Sequence, residues 1–308
     1  LREQTMVSAV FHSPLEASQQ LAEEKKAAAT SVRTEVSKSI TSPSIPQGER
    51  SRIDWREVWL RVLPPILGVA LLVGVWALLT AKSTTFPTPW ATFEAAAKLF
   101  SDPFYSKGPN DQGIGWNVLN SLERVGLGFG LAALVGIPLG FIIGRFTFFN
   151  RMAQPLISLL KPVSPLAWLP IGLLVFKSAN PAAIWTIFIC SIWPMVINTA
   201  VGVQRVPQDY LNVARVLALS EWKVITRILL PAVLPYMLTG VRLSVGTAWL
   251  VIVAAEMLTG GQGIGFWLWD EWNNLNVAHI LIAIFVIGGV GLALEALLMA
   301  IARRFEYA

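Results

Sequence analysis

Residues Val62 to Ala81 read VLPPILGVALLVGVWALLTA, twenty positions without a charge. A helix rises about 1.5 Å per residue, so this run covers about 30 Å, the depth of a bilayer's hydrocarbon core. The rest of the chain repeats the pattern. Val125 to Gly144 follows, bounded by Arg124 and Arg145, then Pro162 to Phe176 and Ala182 to Gln204. Pro231 to Leu258 contains Arg242, and Val277 to Ala302 contains Glu295. The expected fold is all-α, a membrane protein with six transmembrane helices.

Composition agrees. Apolar residues make up 54% of the 308 and charged residues 14%, against about a quarter charged in soluble domains. The net charge of +5 does not point to nucleic acid, because Lys and Arg cluster beside the ends of the apolar runs rather than on one soluble face. Cys190 is the single cysteine and lies inside the fourth run, so no intrachain disulfide is available. His12 and His279 have no Cys, His or carboxylate at ligand spacing, and no metal site is inferred.

Upstream of the first run, residues 51–61 read SRIDWREVWLR. Trp55, Val58, Trp59 and Val62 fall on one side at helical spacing, with Arg52, Asp54 and Arg56 elsewhere. Such a segment is expected to lie in the headgroup layer as an interfacial elbow helix, its arginines reaching toward phosphates. Residues 1–50 are rich in Ser, Ala, Glu, Lys and Gln and poor in large apolar groups, which predicts a disordered tail without a secretory signal. Ser13-Pro14-Leu15-Glu16 has capping-box register and predicts a short helix to about Ala29. The membrane-spanning body is assigned to residues 62–308.

Basic residues gather on alternate connections. Arg50, Arg52, Arg56 and Arg61 precede the first run; Arg145 and Arg151 lie in the second connection, Arg205, Arg215, Lys223 and Arg227 in the fourth, and Arg303 and Arg304 at the C-terminus. The other connections hold only Lys82, Lys98, Lys107 and Lys177. The positive-inside rule then puts both termini in the cytoplasm. Lys82 to Trp116 and Thr259 to Asn276 become outer loops, and Gly260, Gly261, Gly263 and Gly265 read as a tight turn needing positive φ. In the second run Gly136, Gly140 and Gly144 recur every four residues, read as continuing upward through Gly126 and Gly130, a face for close helix packing.

The fourth connection, within a loop assigned to 205–230, is patterned beyond what a linker needs: VQRVPQDYLNVARVLALSEWKVITRILLPAVLP from Val203 to Pro235. Pro207 can open a helix in which Tyr210, Val213, Ala214 and Leu217 share a face. Ser220 can cap a second, presenting Trp222, Ile225 and Leu229 on one side. Two amphipathic helices at a membrane surface need a partner or the lipid interface.

This segment resembles the EAA loop of ABC importer permeases, with Glu-Ala-Ala, a Gly four residues on, and Ile-x-Leu-Pro after nine more. Asn212, Val213 and Ala214 stand at the first three positions, then Ala218, then Ile228, Leu229, Leu230 and Pro231. The register is kept, while Asn212 and Ala218 replace the Glu and Gly. Two further stretches, PLISLLKPVSPLAWLPIGLLVF from Pro155 and LPYMLTGVRLSVGTAWLVIVAAEML from Leu234, are similar to the permeases of nitrate, bicarbonate, taurine and alkylsulfonate importers.

The resemblance implies a type I ABC importer permease in a bacterial inner membrane. It implies a second permease copy, two ATP-binding cassette subunits that hold the ATP and Mg, and an outer solute-binding protein; no cofactor belongs to this chain. Asp209 to Ser220, extended to Glu221 and including Arg215, would be the coupling helix that docks on the ATPase. The implied cargo is a small inorganic anion, nitrate or nitrite first, bicarbonate next, then taurine or alkylsulfonates.

Other classes fit less well. No Ser, His and Asp grouping, no paired carboxylates on one face and no phosphate-binding Gly-Lys are present, so no catalytic residue is assigned. A secondary transporter or channel would call for more intramembrane ionisable groups or a filter, and leaves the fourth connection unexplained.

Two cations bear on the anion path. Lys161 lies ten residues beyond Arg151 and Arg242 eleven beyond Pro231; in unkinked helices both stand about 15 Å along, at similar depth. A charge in the bilayer faces a cavity or a partner, and in a dimer the two would make a ring of four. Two readings stand: a pathway for the anion, or structural roles in which Lys161 snorkels and Arg242 caps carbonyls freed by prolines. Glu256 and Arg124 are secondary gate candidates.

Overall fold

The computed structural model describes residues 55–83, 85–108 and 111–306. The tail, the short helix expected at its start and residues 51–54 of the elbow lie outside them. Among the described residues the architecture is helical, and an isolated antiparallel bridge joins Ser106 and Gln112. The chain divides into two compact units, Leu1–Val69 and Ala70–Ala308. The described part of the first belongs to helix α1 (Trp55–Thr80), which continues unbroken past Arg61 with Pro64 and Pro65 inside it.

In the second unit, α2 (Pro89–Leu99) begins at an N-cap, Thr88, whose hydroxyl accepts from the Ala91 N–H. The long helices are α3 (Ile114–Arg145), α6 (Ala179–Gln204), α9 (Leu230–Thr259) and α11 (Val277–Glu306), with α4 (Thr147–Leu160), α5 (Pro165–Phe176), α7 (Gln208–Val216), α8 (Glu221–Val224) and α10 (Ile264–Asn273) between them. Five uninterrupted stretches among the described residues are long and apolar enough to cross a bilayer, and the number rises to six where the bent pair of α4 and α5 is counted as one span.

That bend corrects the third span. Pro162 to Phe176 is not one membrane-crossing helix: α5 covers only 12 residues, about 18 Å, too short for the hydrocarbon core. α4 and α5 meet at 99°. Pro165 forces Ser164 out of helical backbone (φ −56, ψ 135) and starts the new helix at its first position.

Helix α6 is the axis of the unit, with Ala183, Ile187, Ser191, Met195, Thr199 and Val203 all buried. α3 lies against it along a stripe of small residues. A Cβ added at Gly128 would stand 2.7 Å from Ile187 Cβ, at Gly140 2.6 Å from Thr199 Cβ, and at Gly144 2.7 Å from Val203 Cβ. With no lipid-water difference to drive helices together, such backbone approach is what dispersion packing in a membrane requires. The stripe runs through Gly128, Ala132, Gly136, Gly140 and Gly144. Gly126 and Gly130 are off it, since nothing lies within 4 Å of a Cβ at either; the sequence reading had the phase wrong above Gly136. On the other side α9 approaches through Gly240, beside Asn198 and the Pro194 carbonyl. There the Ser244 hydroxyl donates to the Ser191 carbonyl at 2.6 Å.

Between α8 and α9 the backbone slips into a π turn over Ile225–Leu229, in which the Leu230 N–H donates to the Ile225 carbonyl. Pro231 has no N–H to give and its ring would strike the carbonyl four residues back, so the slip accommodates it. At the opposite end of α9, Gly260, Gly261 and Gly263 take φ of 72°, 97° and 133°, the turn the glycine run predicts, while Gly265, read as part of it, lies in the first turn of α10.

Candidate functional site

Three places carry the residues singled out from sequence. The first is the connection between α6 and α9. Pro207 is the N-cap of α7, with Asp209 in the first turn and Arg215 in the last, each charge complementing the helix dipole. Leu211 and Ala214 point inward and join Phe141, Val206, Val224 and Leu229 in a small core. Tyr210, Val213, Val216 and Leu217 point outward, Val216 at 85% exposure. The expected face is therefore split, with Ala214 on the buried side and Tyr210, Val213 and Leu217 on the open one. A contiguous apolar patch of this kind marks an interaction surface.

The end of α7 explains the register kept across Ala218. Its N–H donates to the Arg215 carbonyl and the Leu219 N–H to the Ala214 carbonyl, both at 3.0 Å, the paired bonds of a Schellman stop. Ala218 takes φ 51°, a left-handed position where glycine is free and alanine costs about 1 kcal/mol or more. Asn212 accepts from Arg215 Nη2 at 2.7 Å, and Glu221 from Arg145 Nη2 at 3.2 Å. Ser220 holds the N-cap position of α8 without a side-chain cap bond. Trp222 and Leu229 do not share a face: Trp222 is exposed and Leu229 fully buried, because the π turn between them shifts the register.

The second place is at the far end of α9, where Arg124 and Glu256 meet. Glu256 is 1% exposed. It accepts from Arg124 Nη1 at 2.6 Å, from the Ser121 hydroxyl at 2.8 Å and from the Gly265 N–H at 3.0 Å. Arg124 Nε also donates to Asn180 Oδ1 at 2.6 Å. Ser121 Oγ accepts the Ile264 N–H, and Asn117 Oδ1 the Gly263 N–H, both at 3.0 Å. α3, α6, α9 and α10 are thus fastened by one carboxylate and one guanidinium. Asn117 and Ser121, not singled out from sequence, lie one turn apart on α3 and signal themselves only as polar residues in an apolar helix.

The third place is mid-helix. Arg242 Nε donates to Glu295 Oε1 at 3.0 Å, and Nη2 donates to the same oxygen. Both side chains remain about half exposed, 51% and 46%, on the wall of a cavity of about 550 Å³ between α9 and α11. Arg242 is thus not a bare cation: the Glu295 carboxylate lies beside it. Lys161 is exposed at the α4–α5 bend as the C-cap of α4, so the equal-depth argument, which assumed unkinked helices, does not hold for it.

Residues 136–307 match the family described as "Binding-protein-dependent transport system inner membrane component". The nitrate import permease protein NrtB of Leptolyngbya laminosa is 46% identical over 244 residues, 79% of this chain and 88% of that protein. The bicarbonate transport system permease protein CmpB of Synechococcus elongatus is 42% identical over 245 residues, 78% and 88% of the two. Among solved structures, the inward-facing MetNI methionine ABC transporter aligns with a TM-score of 0.48 at 14% identity, over 59% of this chain and 94% of that one. The chain belongs to the binding-protein-dependent inner membrane component family: it is the multi-pass permease subunit of an ABC importer, a transporter component rather than an enzyme, working with ATP-binding and substrate-binding partners.

Proposed function

We propose that this permease imports a small inorganic anion, nitrate or nitrite, as a homodimer with two ATP-binding subunits and an outer solute-binding protein. ATP and Mg belong to the partner subunits. The observation that carries the assembly is the open apolar face of α7, Tyr210, Val213, Val216 and Leu217, on a connection whose basic residues favour the cytoplasmic side. Closure of the ATPases, transmitted through Asp209 to Glu221, rocks the spans between inward-open and outward-open states. Both termini then lie in the cytoplasm. The 46% identity to a nitrate permease supports the cargo; the 42% identity to a bicarbonate permease favours bicarbonate as the second reading.

The test is uptake of labelled nitrate and bicarbonate into vesicles holding the co-expressed subunits and binding protein, with and without ATP. ATP-dependent nitrate uptake is expected. Uptake by this chain alone without ATP would instead make it a secondary transporter. Ala214→Pro removes a helix donor and clashes with the preceding turn at a cost of about 3 kcal/mol, so it should abolish uptake while the chain still enters the membrane. Normal uptake with normal ATPase co-purification would show that α7 merely connects two spans.

A further inference from the structure

Glu295 is the group that the sequence reading left without a role. Arg242 stands about 18 Å along α9 from Leu230, deep in a span, where a charge left facing lipid is costly. Its guanidinium and the Glu295 carboxylate are nevertheless half exposed, and the cavity beside them is lined by Thr239, Thr247, Gly246 and Gly291 among larger apolar groups. Contrast Glu256, every side of which is enclosed by donors. The Arg242 pair is built to be reached.

The chemistry of the pair narrows what reaches it. A guanidinium is a planar fork that matches a planar oxyanion through two parallel N–H donors. A carboxylate, nitrate and bicarbonate all present oxygens about a trigonal carbon or nitrogen at nearly the same spacing. Glu295 Oε1 takes the Nε and Nη2 donors, the positions an incoming nitrate would take.

We infer that Glu295 is an internal counter-anion that occupies the Arg242 guanidinium in place of the transported planar oxyanion, and that substrate binds at this point by displacing it. This rests on the anion-importer reading and adds a specificity-determining residue to it. An empty site then carries no uncompensated charge in the membrane. A bound anion is held weakly, because Glu295 competes for the same donors and repels it, and weak holding favours release.

Glu295→Gln keeps the shape and removes the competing charge. In the assembled transporter in nanodiscs, sodium nitrate binding is measured by equilibrium dialysis with ion chromatography. Glu295→Gln should bind nitrate about tenfold or more tightly than the parent, a change of about 1.4 kcal/mol. Arg242→Gln and the double variant should show no saturable binding. Sodium formate, which is planar, should compete, and sodium sulfate should compete poorly; equal competition overturns the planar match. Unchanged or weaker nitrate binding in assembled Glu295→Gln overturns the inference. If that variant fails to assemble, Glu295→Asp, whose shorter side chain reaches Arg242 less well, should give a smaller tightening, and none overturns it. Parental uptake distinguishes the two levels: a parent that imports neither nitrate nor bicarbonate sinks the functional reading, whereas normal uptake with unshifted Glu295→Gln binding sinks only the role of Glu295.

Discussion

Helix α9 carries two charges about four turns apart, and they live in opposite circumstances. Glu256 is buried, joined to Arg124, Ser121 and a backbone N–H. Arg242 is half open, joined to one carboxylate beside a cavity. Both are ion pairs within a membrane span, yet one is closed on every side and the other is accessible. The difference teaches that partner count and enclosure, not the presence of a charge, separate a fastening from a site. A fully satisfied pair resists change. A pair with spare donors and room beside it can exchange partners.

The strongest way to break the comparison is to cut each pair at its carboxylate. Glu256→Ala strands the Arg124 guanidinium in a buried place and unties the turn before α10, at about 3–5 kcal/mol. Loss of folded protein in detergent, followed by fluorescence-detected size exclusion after a heating series, should be pronounced. Glu295→Ala leaves the Arg242 guanidinium half exposed beside a cavity, open to water and anions, and should lower stability less than Glu256→Ala does. Equal melting of the two variants would collapse the distinction.

Asn117→Ala probes the clamp more gently. The Gly263 N–H donates to Asn117 Oδ1 at 3.0 Å, and a buried N–H left without an acceptor costs about 1–3 kcal/mol. Thermal unfolding should move by that intermediate amount, with faster hydrogen exchange confined to the 260–264 turn. Exchange unchanged at Gly263 would mean that the turn is held by α9 and α10 alone.

What could be read from sequence follows the range of the forces involved. Spans were legible because an apolar run of about 20 residues is a local property. The bend at Lys161 to Ser164 was less so, since Pro162 and Pro165 lie inside an apolar run and only backbone geometry shows where the helix turns. The α3 stripe was misphased because a glycine is visible in sequence but the side it faces is not; Ala132 fills the place where Gly130 was assigned. Trp222 and Leu229 were put on one face because a single π turn cannot be read from side-chain types. The ion pairs were out of reach: Arg242 and Glu295 are 53 residues apart, Arg124 and Glu256 132, and no periodicity joins them. Arg242, Glu256 and Arg124 could be picked individually, and Glu295 could be seen inside its apolar run, but not which of them pair.

The finest test keeps every charge and changes only the shape of the cation. Arg124 uses Nε for Asn180 and Nη1 for both Glu256 and the Gln262 carbonyl, so its fork spans three acceptors on separate elements. A lysine ammonium is a point donor on a flexible stem; Arg124→Lys keeps the attraction to Glu256 but gives up the bond to Asn180, a loss of about 1 kcal/mol. The readout is a small drop in melting temperature with the start of α6 loosened in hydrogen exchange. Arg242→Lys faces no such spread of acceptors, so its melting temperature should match the parent. What it gives up is the planar two-donor face, and formate should then lose its advantage over sulfate in displacing nitrate. If Arg124→Lys melts like the parent while Arg242→Lys melts lower, the roles are reversed: the half-open pair is the fastening, and the buried one is free to change partners.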